Sequence, residues 1–193
     1  SAAEVDAHHD LPTINRSREE LEREELAVFR RFAGEVDSMM ICHGWYPCFD
    51  AEKLPASLSR NVIGRLLRED LGFDGLVMTD DLDMGAIYNE YGLAETIRMA
   101  MNAGNDLAMI CHRIDAIGEA RATLEELPAA TLDRALERVA RFKTQLTPPH
   151  EFSEAAFREL DKEVWDLRVA VLGAERAAER SPEDGKRSPV ETY

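Results

Sequence analysis

The stretch LGFDGLVMTDDLDMGAI, residues 71–87, decides how this chain is read. Its centre, Leu76-Val77-Met78, is a short continuous apolar run that empties directly into Thr79, Asp80, Asp81 and Asp83. A continuous run, unlike an alternating one, is what a strand covered on both faces requires. Two more such runs, Met39 to Cys42 and Leu107 to Cys111, flank it in sequence. Their starts lie about 30 to 37 residues apart, the length of a βαβ unit. The expected class is therefore α/β, a parallel sheet with interleaved helices. In such sheets the loops beyond the carboxyl ends of the strands build the site, so the acids after Met78 are candidates for chemistry.

Helical patterns fill the gaps. Ser17 with Glu20 forms a capping box, and Leu21, Val28, Phe29 and Phe32 then share one face that ends near Gly34. Ser59 is placed to cap a helix carrying Val62, Ile63, Leu66 and Leu67, which stops at Gly72. A third helix runs from about Leu93 to Ala103 and stops at Gly104; a fourth amphipathic segment spans Ile114 to about Leu127. Beyond Pro128 no strand pattern recurs. Two long helical patterns joined by Thr147-Pro148-Pro149-His150 predict a helical hairpin over residues 129–178. On its second arm Phe157, Leu160, Val164, Leu167 and Val171 repeat at alternating spacings of three and four, an a/d seam that packs on its own domain or on another chain. Residues 179–193, polar and rich in charge and proline, are expected to be disordered.

Composition narrows the function. The 193 residues carry 23 Lys and Arg against 38 Asp and Glu, a net charge of −15, and no run of basic residues reverses this locally. Such a surface repels phosphate backbones and anionic lipid headgroups, which argues against nucleic acid as a partner. No apolar run approaches the roughly 20 residues of a membrane span. Three cysteines, Cys42, Cys48 and Cys111, are too few for a disulfide framework, so a reducing, cytoplasmic setting is expected. The chain opens on SAAEVDAHHD, with neither an initiating Met nor a signal-peptide pattern, which suggests that upstream residues have been removed.

Three groups of residues could carry chemistry. Asp80 and Asp81 end a strand, where they either face a substrate or cap the next helix. In Glu4 to Pro12, Asp6 stands two residues from His8; a carboxylate there can orient and charge an imidazole into a general acid near neutral pH, though such a loop can equally be solvated decoration. Ile-Cys-His occurs at 41–43 and again at 110–112. Neighbouring strand residues face opposite ways, so these pairs cannot chelate, and Cys48 completes no zinc spacing. Asp81, Asp83 and Gly85 echo the start of a calcium loop, but Gly92 stands where its closing Glu belongs. No metal or cofactor is expected. The cysteines are expected to pack between strands and helices, with His43 reaching the mouth of the pocket.

Taken in order, DAHHDLP, HGWYPCFD, LPASLSRNVIGRLLREDLGFDG, VMTDDLDMGAI and AMNAGNDLAMICHR resemble glycoside hydrolase family 3, particularly its bacterial β-N-acetylglucosaminidases, over about residues 4 to 113. The resemblance implies that residues 1–128 are the C-terminal portion, about strands six to eight, of a (β/α)8 TIM barrel. It implies Asp80 as the nucleophile, His8 with Asp6 as the acid/base dyad, and His43 as a contact to a sugar hydroxyl. Ala7 stands where the family's dyad usually has Ser, and the family's Lys-His-Phe-Pro-Gly-His-Gly segment is absent ahead of Asp6. The substrate implied is a terminal β-linked N-acetylglucosamine from cell-wall turnover; related members cleave β-glucosides or β-xylosides. Three strands leave two sheet edges open, so a homo-oligomer or a separate N-terminal half is expected to cover them. A non-catalytic assembly module built on a barrel remnant is the reading from a different class.

Overall fold

The computed structural model describes Ala7 and residues 10–179. Its centre is a three-stranded parallel sheet of β1 (Ser38–Ile41), β2 (Leu76–Asp81) and β3 (Leu107–Met109), in the order β1-β2-β3. Ser38 pairs with Leu76 and Ile41 with Thr79; on the other side Met78 pairs with Leu107 and Asp81 with Met109, with an irregularity between. The expected alternation of strand and helix is present. β2 runs three residues further than its apolar core, so Thr79, Asp80 and Asp81 belong to the strand itself.

Ahead of β1 lie α1 (Arg18–Arg23) and α2 (Glu25–Phe32). The capping box forms: Ser17 Oγ accepts from Glu20 N–H, and Glu20 Oε2 accepts from Ser17 N–H at 2.9 Å. One continuous helix was expected there. Instead the backbone turns at Glu24 (φ −110°, ψ −80°), where the Arg16 guanidinium holds Glu24 and Glu25 together. Only Leu21 of the predicted apolar face is buried; Val28, Phe29 and Phe32 remain exposed because no described element lies beyond β1 to cover them.

Between β1 and β2 runs a ten-residue π-helix, Asn61–Asp70, whose winding is seen in the bond from Leu71 N–H to the Leu66 carbonyl at 2.9 Å. Ser59 Oγ accepts from Val62 N–H at 3.0 Å, as its capping position predicts. The chain then enters β2 through Gly75, where a Cβ would lie 2.6 Å from the Asp37 carbonyl oxygen and 2.5 Å from the Phe73 ring. After β2 come α3 (Gly85–Tyr91), which the sequence pattern did not predict, and α4 (Leu93–Ala103), which spans the predicted residues. Gly104 ends α4 at φ +116°, a conformation that costs glycine little. α5 (Ile117–Glu125) and α6 (Ala129–Lys143) follow β3.

The core has two parts. Leu58, Leu82, Ile87, Leu93, Ile97, Ala100 and Met101 form one, and Met39, Ile63, Leu67, Phe73, Val77 and Ala103 the other. At the start of β3 the Asp106 side chain is fully buried: Oδ2 accepts from Val77 N–H at 2.9 Å and from Arg68 Nη2 at 2.7 Å, and Oδ1 from Arg138 Nη1 at 3.3 Å. Through Arg138 and the buried Ala135, α6 belongs to this first compact unit. The break between units accordingly falls at 145/146 rather than at residue 128. The second unit begins at Leu146 and holds α7 (Glu154–Leu172), capped by Ser153, and α8 (Ala174–Ala177). Every a/d residue of the α7 seam is exposed. Residues 180–193, on which most of the expected disordered tail falls, lie outside the described residues. Among the described residues no helix is long and apolar enough to cross a membrane. Cys42 and Cys111 are exposed and Cys48 is half-buried, so the cysteines are not packed inside as expected.

Candidate active site

At the carboxyl end of β2 the polar residues have unequal environments. Thr79 is fully buried, and its Oγ1 accepts from Met109 N–H at 2.9 Å, locking β3 to β2. Asp81 is turned inward: Oδ1 accepts from Asp83 N–H at 3.0 Å and from Cys111 N–H at 3.2 Å, and Oδ2 lies 3.0 Å from His112 Nδ1. Asp83, wholly buried, accepts at Oδ2 from the N–H groups of His112 and Arg113 at 3.1 and 3.0 Å. Two consecutive loops are thereby stitched together behind the strand end. The Arg113 guanidinium lies 3.6 Å from the centre of the Tyr88 ring, which ties the second loop to α3.

Asp80 differs from both. It is partly exposed, and Oδ1 accepts from the Asp81 N–H at 2.8 Å while Oδ2 has no hydrogen-bond partner among the described residues. Asp83 Oδ1 is also without a hydrogen-bond partner but is buried, so of the three carboxylates Asp80 is the one whose unpartnered oxygen lies on a partly exposed residue. The helix-capping alternative does not describe it, because α3 starts after Met84 with no side-chain cap.

His43 is 1% exposed, with Nδ1 2.7 Å from Ser57 Oγ and Nε2 2.8 Å from the Asp81 carbonyl oxygen. A carbonyl only accepts, so Nε2 carries the proton, and in the neutral ring Nδ1 accepts from the Ser57 hydroxyl. Both nitrogens are engaged within the protein. The expected reach to a pocket mouth is therefore replaced by an internal brace between the end of β1 and the end of β2. The strand-end His motif signals proximity to the site, but burial decides which way the ring serves it.

Asp6 and His8 lie outside the described residues. Ala7 between them is described, and its carbonyl accepts from Ala86 N–H at 3.3 Å, in the first turn of α3. Asp81, Asp83 and His112 also bring one potential metal-ligand atom each within 4.8 Å of one another. Asp81 Oδ1 and Asp83 Oδ2 each accept from two backbone N–H groups, those of residues 83, 111, 112 and 113, so the arrangement reads as a clamp. The neighbouring Cys111 thiol is pushed up by burial and then by the Asp81 carboxylate, which disfavours the thiolate a nucleophile needs. Sequence reading missed the clamp; the carboxylates at Asp81 and Asp83 were visible, but their partners lie some 30 residues on, in the loop after β3.

The model of the glycosyl hydrolase family 3 N-terminal domain matches residues 1–142. A β-hexosaminidase of Pseudomonas aeruginosa is 36% identical over 135 residues, covering 68% of this chain and 40% of that protein. A β-hexosaminidase of Thiobacillus denitrificans is 35% identical over 176 residues, 90% of this chain and 47% of that protein. Among solved structures, the family 3 β-N-acetylglucosaminidase of Paenibacillus sp. str. FPU-7 superposes with a TM-score of 0.73 at 38% identity, covering 79% of this chain and 31% of the other. This chain thus spans less than half the length of these relatives.

Proposed function

Since the chain belongs to glycosyl hydrolase family 3, we propose that it contributes strands six to eight of a (β/α)8 barrel that hydrolyses terminal β-linked N-acetylglucosamine with retention of configuration. The observation that carries this reading is the unpartnered oxygen of the partly exposed Asp80 at the carboxyl end of a parallel strand, beside two buried carboxylates that each hold backbone donors of the neighbouring loops. A retaining mechanism requires a carboxylate to attack the anomeric carbon and form a glycosyl-enzyme intermediate. It also requires an acid that protonates the leaving oxygen and then, as base, activates water. Asp80 takes the first role and His8, oriented by Asp6, the second. The bond from Ala86 N–H to the Ala7 carbonyl supports this pairing, because it anchors the residue between them to the first turn after the Asp80 loop. His43 serves as a positioning residue: it holds the Asp81 carbonyl and through it the backbone next to Asp80.

The same reading accounts for the open side of the sheet. Met40 on β1 and Val28, Phe29, Phe32 and Val36 beside it line an apolar groove of about 370 Å³, where a preceding strand-helix unit of the same barrel would pack. Either an N-terminal half or a second copy then completes the sheet, and a carbohydrate is the substrate. The three free cysteines fit a cytoplasmic setting. The assembly-module reading is favoured by one observation, the exposed a/d seam of α7.

The test is release of a chromogenic aglycone from a β-N-acetylglucosaminide by the chain extended upstream through the rest of the barrel. Asp80→Ala is expected to lower kcat/KM by at least about 10³-fold, and His8→Ala by about 10² to 10⁴-fold with loss of one limb of the pH profile. Activity of Asp80→Ala within about tenfold of the parent would remove Asp80 from the reaction.

A further inference from the structure

Between the π-helix, the end of α4 and α6, on a lining that does not include Asp80, the fold assembles a cluster of cations that the linear sequence does not reveal. A cleft of about 590 Å³ is lined by Arg60, Arg65 and Arg68 from the π-helix and its entry, and by Arg134 and Arg138 from α6. In a chain of net charge −15, five guanidinium groups around one space, with one carboxylate on the lining, form a locally basic surface. The sequence shows no basic run because the cluster is drawn from two segments far apart in the chain, and it corrects the reading that no basic group reverses the acidic charge locally.

The winding of the π-helix makes the cluster. In an α-helix, residues five apart point about 140° away from each other. With i→i+5 bonding Arg60 and Arg65 stand about one turn apart and face the same way, and π-type turns recur at functional sites. On α6, Arg134 and Arg138 are an i,i+4 pair on one face. The negative charge nearby does not balance them. Asp106 is wholly buried and divided between Arg68 and Arg138, and Asp74 lies 3.6 Å from Arg138; on the cleft lining itself Glu69 is the carboxylate, against five guanidinium groups. Arg60, Arg65 and Arg134 make no hydrogen bond or ion pair among the described residues. Arg68 Nε is buried without a hydrogen-bond partner. Burial pushes the Arg68 guanidinium below its ordinary value, and the neighbouring Arg138 adds to this against the opposing pull of Asp106.

We propose that this cleft is a binding site for a short chain of phosphates, bridged between the π-helix and α6. Guanidinium forks match phosphate oxygens two at a time, and a linear polyanion can engage both walls where a single small anion reaches one. No aromatic ring lines the cleft, so a nucleoside attached to the phosphates adds no stacking. The phosphate chain itself is what is recognised, whether free or carried by a nucleotide.

The test is calorimetric titration of the full chain with sodium triphosphate at constant ionic strength, with ADP, pyrophosphate and sodium chloride in parallel. Saturable binding of triphosphate is expected, with pyrophosphate and ADP alike within about threefold. Arg60→Gln with Arg134→Gln should weaken triphosphate roughly tenfold or more, while Arg158→Gln on α7 should leave it unchanged. Glu69→Gln should tighten binding, a gain that misfolding cannot mimic. Absence of saturable heat, an unchanged affinity in the double variant, or an equal loss in Arg158→Gln would each overturn the proposal. ADP binding far above pyrophosphate would overturn the claim that the phosphates alone are read.

Discussion

α2 and α4 carry the same kind of amphipathic pattern, yet the sheet treats them in opposite ways. On α4, Ile97 and Ala100 are wholly buried; on α2, Val28 and Phe29 are 57% and 50% exposed. The strands beneath them differ likewise, with Val77 of β2 sealed and Met40 of β1 55% exposed. Apolar periodicity states which face favours leaving water, about 1.5–3 kcal/mol for each large side chain, but realising that gain needs a surface to pack on. α4 has β3 and the π-helix as neighbours, whereas α2 lies by a strand with an unpaired edge. The polar groups follow the same division. Around β2 and β3 buried carboxylates hold backbone donors, and beside β1 apolar surface is left exposed.

The contrast can be broken most severely at Asp106. Asp106→Ala leaves Arg68 and the Val77 N–H without their buried acceptor, and unfolding by denaturant is expected to show a loss of about 3–5 kcal/mol. Asp83→Ala leaves two part-buried N–H donors, those of His112 and Arg113, without their acceptor, and should cost about 1–3 kcal/mol by the same measurement. It should also speed hydrogen exchange in the loop after β3 specifically. On the open side, Phe29→Ser with Met40→Ser should cost only about 1–2 kcal/mol together, because about half of each side chain already faces water. Under the proposal that a second copy covers this face, the same pair should lower any self-association seen in sedimentation; a large loss of stability instead would mean that this face is already covered. The smallest effect is at the Ser17 capping box. The Ser17 N–H holds the Glu20 carboxyl below its ordinary value of 4.5, so folding favours the ionised form. That contribution is complete above 4.5 and disappears as pH falls through the lower folded-state value, so Glu20→Gln should flatten stability against pH only below about 4.5.

Much of this was legible in the chain. The strand at Leu76, the caps at Ser17 and Ser59 and the stop at Gly104 each rest on a local rule, and Asp80 at a strand end followed from the first of them. α3 was missed because a seven-residue helix holds less than two turns of periodicity. The break at Glu24 was missed because Arg16 acts on it from outside the helix. The inward turn of His43 depends on Ser57 and on the Asp81 carbonyl, 14 and 38 residues away.

From sequence alone came the parallel α/β order and a carboxylate where a parallel sheet presents its loops, both written in short-range spacing, while the family came from the resemblance of several ordered motifs. Tertiary structure alone decided that Asp81 and Asp83 serve the backbone while Asp80 keeps an oxygen free, that His43 is a brace, and that five arginines from two distant segments converge. Those outcomes depend on which groups meet through space and how completely water is removed between them, and a linear pattern carries neither quantity.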